Sequence, residues 1–139
     1  MEIKICADKK LWDDFFLDRK QAGFLQSWQW GEFQETVGNK PLRLQLTEGG
    51  EVLAEWQGFE HKIASFIKFV YFPGFCYLAS EETGDEPLAT LFGFLKARGY
   101  MFARIEPCGS VPGLEKFKFI KTASRQPVNV LRLKVDGSQ

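Results

Sequence analysis

The stretch PLRLQLTEGGEVLAEWQGF, residues 41–59, constrains the fold more than any other part of the chain. Leu42, Leu44 and Leu46 alternate with Arg43, Gln45 and Thr47. Period-2 alternation sends successive side chains to opposite faces of a strand, a pattern no helix satisfies. The glycines of EGGE, 48–51, supply the backbone freedom a tight hairpin turn needs, and VLAEWQGFEHKI, 52–63, carries the return strand. A hairpin at the centre of the chain requires the flanking segments to cover it.

Those segments are readable. EIKIC (2–6) alternates and predicts a short strand, after which Asp8 is placed to cap a helix bearing Leu11, Trp12, Phe15 and Phe16 and ended by Gly23. A second helix follows with Ser27 as its N-cap, stopped by Gly38 and Pro41. A third strand, FIKFVYF (66–72), is expected to end at Pro73-Gly74 and lead into the polar loop LASEETGDEP (78–87). Asp85 then caps a helix with Pro87 in its first turn. Leu88, Leu91, Phe92 and Leu95 recur at helical spacing on one face, and Gly99 closes it. MFARIEP (101–107) predicts a strand, 111–117 a short helix entered at Pro112, and VNVLRLKV (128–135) a final strand. The order β-α-α, antiparallel meander, α-β-α-β predicts an α+β fold. It is a mixed, largely antiparallel sheet covered by helices, the arrangement of acyl-CoA N-acetyltransferase-like (GNAT-like) domains.

At 139 residues the chain has the length of one domain, 1–139, and can bury a core without staples. Eighteen basic and eighteen acidic residues give a formal net charge of +0, hence no overall attraction to nucleic acid or anionic membrane. Cys6, Cys76 and Cys108 are far apart and His61 is the single histidine, so no metal site is expected. The cysteines read as reduced structural thiols, which suits a cytoplasmic protein. MEIKICADKK lacks a signal-peptide apolar region, and no run approaches the roughly 18 apolar residues of a membrane span.

FLQSWQWGEFQ, 24–34, is unusual in combining aromatics with amides. Read as one continuous helix it sets Gln26, Trp30 and Gln34 in a stripe, beside an apolar stripe of Trp30, Phe33 and Val37. The aromatics can anchor a core. The amides fit better beside a bound sugar or peptide, with Phe33 and Val37 fixing the helix to the sheet.

This segment resembles a motif near the N-terminus of the FemABX family, the peptidoglycan interpeptide-bridge aminoacyltransferases. YFP (71–73) resembles the family's Tyr-x-Pro strand end and FARIEP (102–107) its Arg-Ile-Glu-Pro strand. FKFIKTASRQPVNVLRLKV (117–135) resembles its Gly-Phe…Gln-Pro…Thr-Leu-x-Leu stretch. Active members are built from two GNAT-like halves and transfer an amino acid from aminoacyl-tRNA to a peptidoglycan precursor, and the likeness here is to the N-terminal half. The resemblance implies a domain of an aminoacyltransferase or acyltransferase of cell-wall biogenesis, incomplete for catalysis at this length and completed by a second half, with a homodimer as the other expected association. Its implied partners are the precursor and aminoacyl-tRNA, and its implied substrate-binding residues are Gln26, Trp30, Gln34 and Tyr71. The alternative is a noncatalytic binding or scaffold domain that retains the fold. Three positions differ from the family pattern. Gln34 stands where relatives often carry a phosphate-contacting lysine, Pro73-Gly74-Phe75-Cys76 replaces Pro-Arg-Gly-Pro, and Lys118 precedes Phe119 in place of glycine.

No catalytic residue is assigned. His61 and Ser65 lack a strained nucleophile elbow, and Cys108 reads as a loop thiol without an activating neighbour. Glu106 is either a general base or a carboxylate beside Arg104. Acetyltransferases of the GNAT type cradle the CoA pyrophosphate on backbone amides of Arg/Gln-x-x-Gly-x-Gly/Ala, which this chain does not contain, so no cofactor is expected. Calorimetric titration with acetyl-CoA at micromolar concentration should give no saturable heat. A stoichiometric isotherm would overturn that expectation.

Overall fold

The 48–51 turn folds the chain back as its glycines require. Gly49 and Gly50 have φ of +59° and +91°, and Glu48 pairs with Glu51 across them, the backbone of a two-residue hairpin turn with both central residues left-handed. The computed structural model describes residues 1–18, 23–76, 84–123 and 125. In chain order the elements are β1 (Glu2–Ile5), α1 (Lys9–Asp18), α2 (Trp28–Thr36), β2 (Lys40–Glu48), β3 (Glu51–Ile63), β4 (Ile67–Phe75), α3 (Glu86–Ala97) and β5 (Phe102–Pro107). Short 3-10 turns stand at Phe24–Gln26 and Leu114–Lys116. The strands form one sheet in the order β1-β2-β3-β4-β5. Neighbours are antiparallel except β4 and β5, which run parallel as the α3 crossover demands. The expected α+β, largely antiparallel sheet is present. The predicted end of the first helix at Gly23 and the predicted strand 128–135 fall wholly or partly outside the described residues.

Alternation along β2 and β3 separates two layers. Leu42, Leu44, Leu46 and Trp56 bury against Leu88, Leu91 and Leu95 of α3, together with Phe72 and Phe75 of β4. The other face carries Arg43, Gln45, Glu55 and Gln57, with α1 and α2 over it; there a smaller cluster of Cys6, Trp12 and Trp28 forms the apolar part. One face is oil and the other is largely amide and charge.

Asp8 caps α1 as expected, its carboxylate accepting from the amides of Lys10 at 2.8 Å and Leu11 at 3.2 Å. Ser27 Oγ likewise accepts from Trp30 N at 3.2 Å. Other expectations need correction. Asp85 precedes α3 but makes no capping bond, because its backbone (φ −100°, ψ 2°) is outside the extended conformation a side-chain cap uses. Its carboxylate pairs instead with Lys116 at 3.2 Å. The third strand does not stop at Pro73-Gly74 but continues to Phe75, its pairing with β5 shifting between Pro73 and Phe75. Only a 3-10 turn forms within 111–117. Cys76 and Cys108, expected as reduced thiols, are disulfide-bonded. They follow β4 and β5, adjacent strands, and their Cα atoms are 5.5 Å apart, within disulfide reach. Cys6 is buried and unbridged.

Leu91, fully buried between α3 and the sheet, tests the oil face. Leu91→Ala should cost about 2–5 kcal/mol, read as a lowered midpoint in denaturant titration; an unchanged midpoint would remove α3 from the core.

Candidate functional site

The site is built around a gap between β3 and β4. Their ladder is antiparallel from Ile63↔Ile67 to Phe59↔Tyr71, and continuing it in register would set Gln57 opposite Pro73. Proline has no N–H to give to that ladder. The Gln26 side chain enters instead, accepting from Gln57 N at 2.7 Å. Its Nε2 donates to Gln57 O at 2.9 Å and Pro73 O at 2.6 Å. One side-chain amide thus replaces a missing rung. Gln26 is 3% exposed and stands in the 3-10 turn before the Ser27 cap. It is therefore not part of a continuous helical stripe with Trp30 and Gln34.

The same junction holds the helices. Gln57 Nε2 donates to the carbonyls of Leu25 at 3.2 Å and Ser27 at 2.9 Å, and its Oε1 accepts from Arg43 Nε at 3.0 Å. Arg43 Nη2 donates to Trp28 O at 3.2 Å, and the half-buried guanidinium lies 3.7 Å from the Trp28 ring centroid, a cation–π contact. Trp12 Nε1 of α1 donates to Gln26 O at 3.1 Å. Gly31 completes the fit, since a Cβ there would overlap Gln57 Oε1 and the Arg43 guanidinium.

The edge of α2 that docks is therefore Trp28 and Gly31, both buried. Phe33 and Val37, expected to fix the helix to the sheet, are 53% and 58% exposed, which corrects that reading. The outward face is an aromatic ridge. Trp30 stands between Phe24 at 5.1 Å and Phe33 at 5.3 Å, centroid to centroid. Gln34, one turn beyond Trp30, is half-buried, and its Oε1 accepts from Asn39 Nδ2 at 2.6 Å. Trp30 and Gln34 share this face.

Tyr71 is buried on β4, opposite Phe59 in the ladder. Its hydroxyl donates to Glu106 Oε2 at 2.9 Å, and Glu106 Oε1 is 3.4 Å from Arg104 Nη2. Arg125 reaches the same carboxylate through its backbone amide at 2.5 Å, with its guanidinium 5.9 Å from the Tyr71 ring. Glu106 is thus the Arg104-neighbouring carboxylate, one of the two sequence readings. His61 stacks on Phe69 at 5.0 Å, and burial, then the Arg125 charge, lowers its affinity for a proton. Among the described residues no group of three His, Cys, Asp or Glu side chains could hold a metal, and no helix is long and apolar enough to cross a membrane.

No protein-family model matches the chain, and no curated protein matches it significantly. The crystal structure of FemX does match, with a TM-score of 0.55 over 71% of this chain at 20% sequence identity. The chain has a FemX-like fold. The match covers 24% of FemX, so the chain corresponds to about a quarter of that protein.

Sequence reading of this FemX-like domain missed Gln57, Arg43 and Gly31. A glycine inside a helix is a usable signal, because it costs about 1 kcal/mol against alanine and asks for a packing reason. Gln57 gave no local signal, because its partners are 14 residues away at Arg43 and 30–32 residues away at Leu25, Gln26 and Ser27.

Glu55 shows what the polar layer costs. Gln45 Nε2 donates to its Oε1 at 2.6 Å, while its Oε2 is buried without a partner. Burial pushes the carboxyl up to about 8 from an ordinary 4.5, against the lowering effect of the Gln45 bond, with Asp13 adding a small rise. The folded chain therefore keeps this proton where the unfolded chain has lost it. Folding takes up a proton between about pH 4.5 and 8, and stability falls as pH rises through that window. Glu55→Gln should match the parent in thermal melts near pH 4, below the window, and exceed it at pH 8. Parallel stability profiles across the window would rule this out.

Proposed function

We propose that this chain is a FemABX-like domain of peptidoglycan biogenesis, acting in the cytoplasm, that presents a sugar–peptide precursor for aminoacyl or acyl transfer. The observation that carries the reading is the FemX-like fold, in a chain whose ordered motifs resemble that family. The reaction belongs to an assembly in which a second half handles the aminoacyl-tRNA donor, in keeping with a match to 24% of FemX. The proposed contact surface is the outward face of α2. Trp30, flanked by Phe24 and Phe33, offers an apolar platform for a sugar or peptide group, and the Gln34 amide offers oriented hydrogen bonds. Tyr71 lines the neighbouring strand end, and Gln26 acts from beneath by fixing the approach of the helix to the sheet.

A second reading is a noncatalytic binding or scaffold domain. It is favoured by the uncharged Gln34, and by the internal bonds that already engage Gln26 and the Tyr71 hydroxyl.

Calorimetry with a nucleotide-linked muramoyl-pentapeptide separates the two. Trp30→Ala should abolish binding, and Gln34→Lys should tighten it by about tenfold, or ~1.4 kcal/mol, by adding a charge-assisted bond to phosphate. Gln34→Lys should cost no more than about 1 kcal/mol of stability, since it gives up the Asn39 bond while a lysine in the last helical turn suits the dipole. Absence of saturable binding by the parent and by Gln34→Lys would leave the scaffold reading.

A further inference from the structure

The cysteine pair has chemistry that the proposed site does not use. Cys76 and Cys108 are 32 residues apart in sequence and meet because β4 and β5 are neighbours. Their backbones are held by bonds that involve no sulfur. Cys108 N donates to Phe75 O at 3.0 Å, and Trp56 Nε1 donates to Cys76 O at 3.0 Å. Trp56 and Phe75 are fully buried and stack with centroids 5.3 Å apart. Breaking the sulfur–sulfur bond therefore leaves the two residues adjacent, and its re-formation is intramolecular at high effective concentration. Cys108 is exposed and Cys76 half-buried, so an external thiolate has a sulfur to attack. Cys6, buried and with its thiol value raised by that burial, is the inert counterpart.

We infer that Cys76 and Cys108 form a reversible redox pair, poised by small-molecule thiols, that sets how firmly the ends of β4 and β5 are tied. Reduction begins with a glutathione thiolate attacking Cys108 Sγ, which forms a mixed disulfide and expels the Cys76 thiolate. A second glutathione thiolate attacks the glutathione sulfur, releasing the Cys108 thiolate and glutathione disulfide. Two electrons and two protons pass to the protein, and excess glutathione disulfide reverses both steps. The tie lies two residues from Glu106, which pairs with Pro73 across the strands and accepts the Tyr71 hydroxyl bond. Oxidation thus tightens the strand ends that carry these groups.

The test uses the whole chain in glutathione buffers of graded ratio, with acid quench, alkylation and intact-mass readout. Two thiols should appear together in one reversible transition while the far-ultraviolet dichroism is unchanged, and Cys6→Ser should show the same transition. Amide exchange at Cys108 should quicken by about tenfold on reduction as the strand end loosens. Full alkylation under excess glutathione disulfide, accumulation of glutathione adducts alone, or survival of the bond in excess dithiothreitol while folded would each overturn the pair. Unchanged exchange at Cys108 would overturn its link to the strand ends. Cys108→Ser should abolish the transition, and if that variant does not fold, the titration of the parent chain still decides.

Discussion

The Gln26 side chain between β3 and β4 is the contact on which the rest of the architecture depends. Pro73 denies the ladder a donor, and an orphaned buried carbonyl or amide costs about 1–3 kcal/mol. The Gln26 amide supplies one acceptor and two donor contacts in that place. This also explains why β4 runs through a proline that would ordinarily end or edge a strand. The 3-10 turn that carries Gln26 is thereby fixed to the sheet, and with it the start of α2 and, through Trp12 Nε1, the position of α1. Two stretches noted separately in the sequence, FLQSWQW and YFP, are one physical unit.

From that anchor the polar layer follows. Gln57 and Arg43 point toward the helices because Trp56 and Leu44 point toward α3, and strand alternation allows no other choice. Buried amides and a half-buried guanidinium are tolerable only when their bonds are made. Gln57 makes them through both ends of its side chain, and Arg43 adds the Trp28 ring. Glu55 is the member whose second oxygen is left over, and a raised proton affinity is the physical result. This layer fixes geometry more than it adds stability, since an all-apolar face would meet no such penalty.

What the sequence made legible was local. The period-2 run of β2, the two-glycine turn, the helical spacing of α3 and the Ser27 cap are each decided within a few residues, and each is found in the structure. The failures concern contacts made at a distance. Phe33 and Val37 have a respectable helical spacing, yet α2 docks by Trp28 and Gly31 because Arg43 and Gln57 wait there. Asp85 has the composition of a cap but not the backbone angles, and a lysine about thirty residues later takes its charge. The cysteine pair depends on β5 lying parallel beside β4, a fact of topology that spacing alone does not reveal.

The aromatic ridge is a consequence of the same docking. With Trp28 and Gly31 spent on the sheet, the rotation of α2 is set, and Phe24, Trp30 and Phe33 are turned outward as a connected set of rings. Scattered exposed apolar residues are ordinary on a protein surface, but contiguous ones usually mark contact. Here Phe24 is 64% exposed and Phe33 53%, while Trp30 between them is partly shielded. Gln34 extends this face by one turn and has an amide N–H group beyond the Asn39 bond. Apolar rings beside an amide are the chemistry of the sugar or peptide contact proposed for this face, and the bonded layer beneath fixes their spacing in advance. The internal bonds of Gln26 act on this face indirectly: by filling the gap at Pro73 they determine which side of the helix is turned outward.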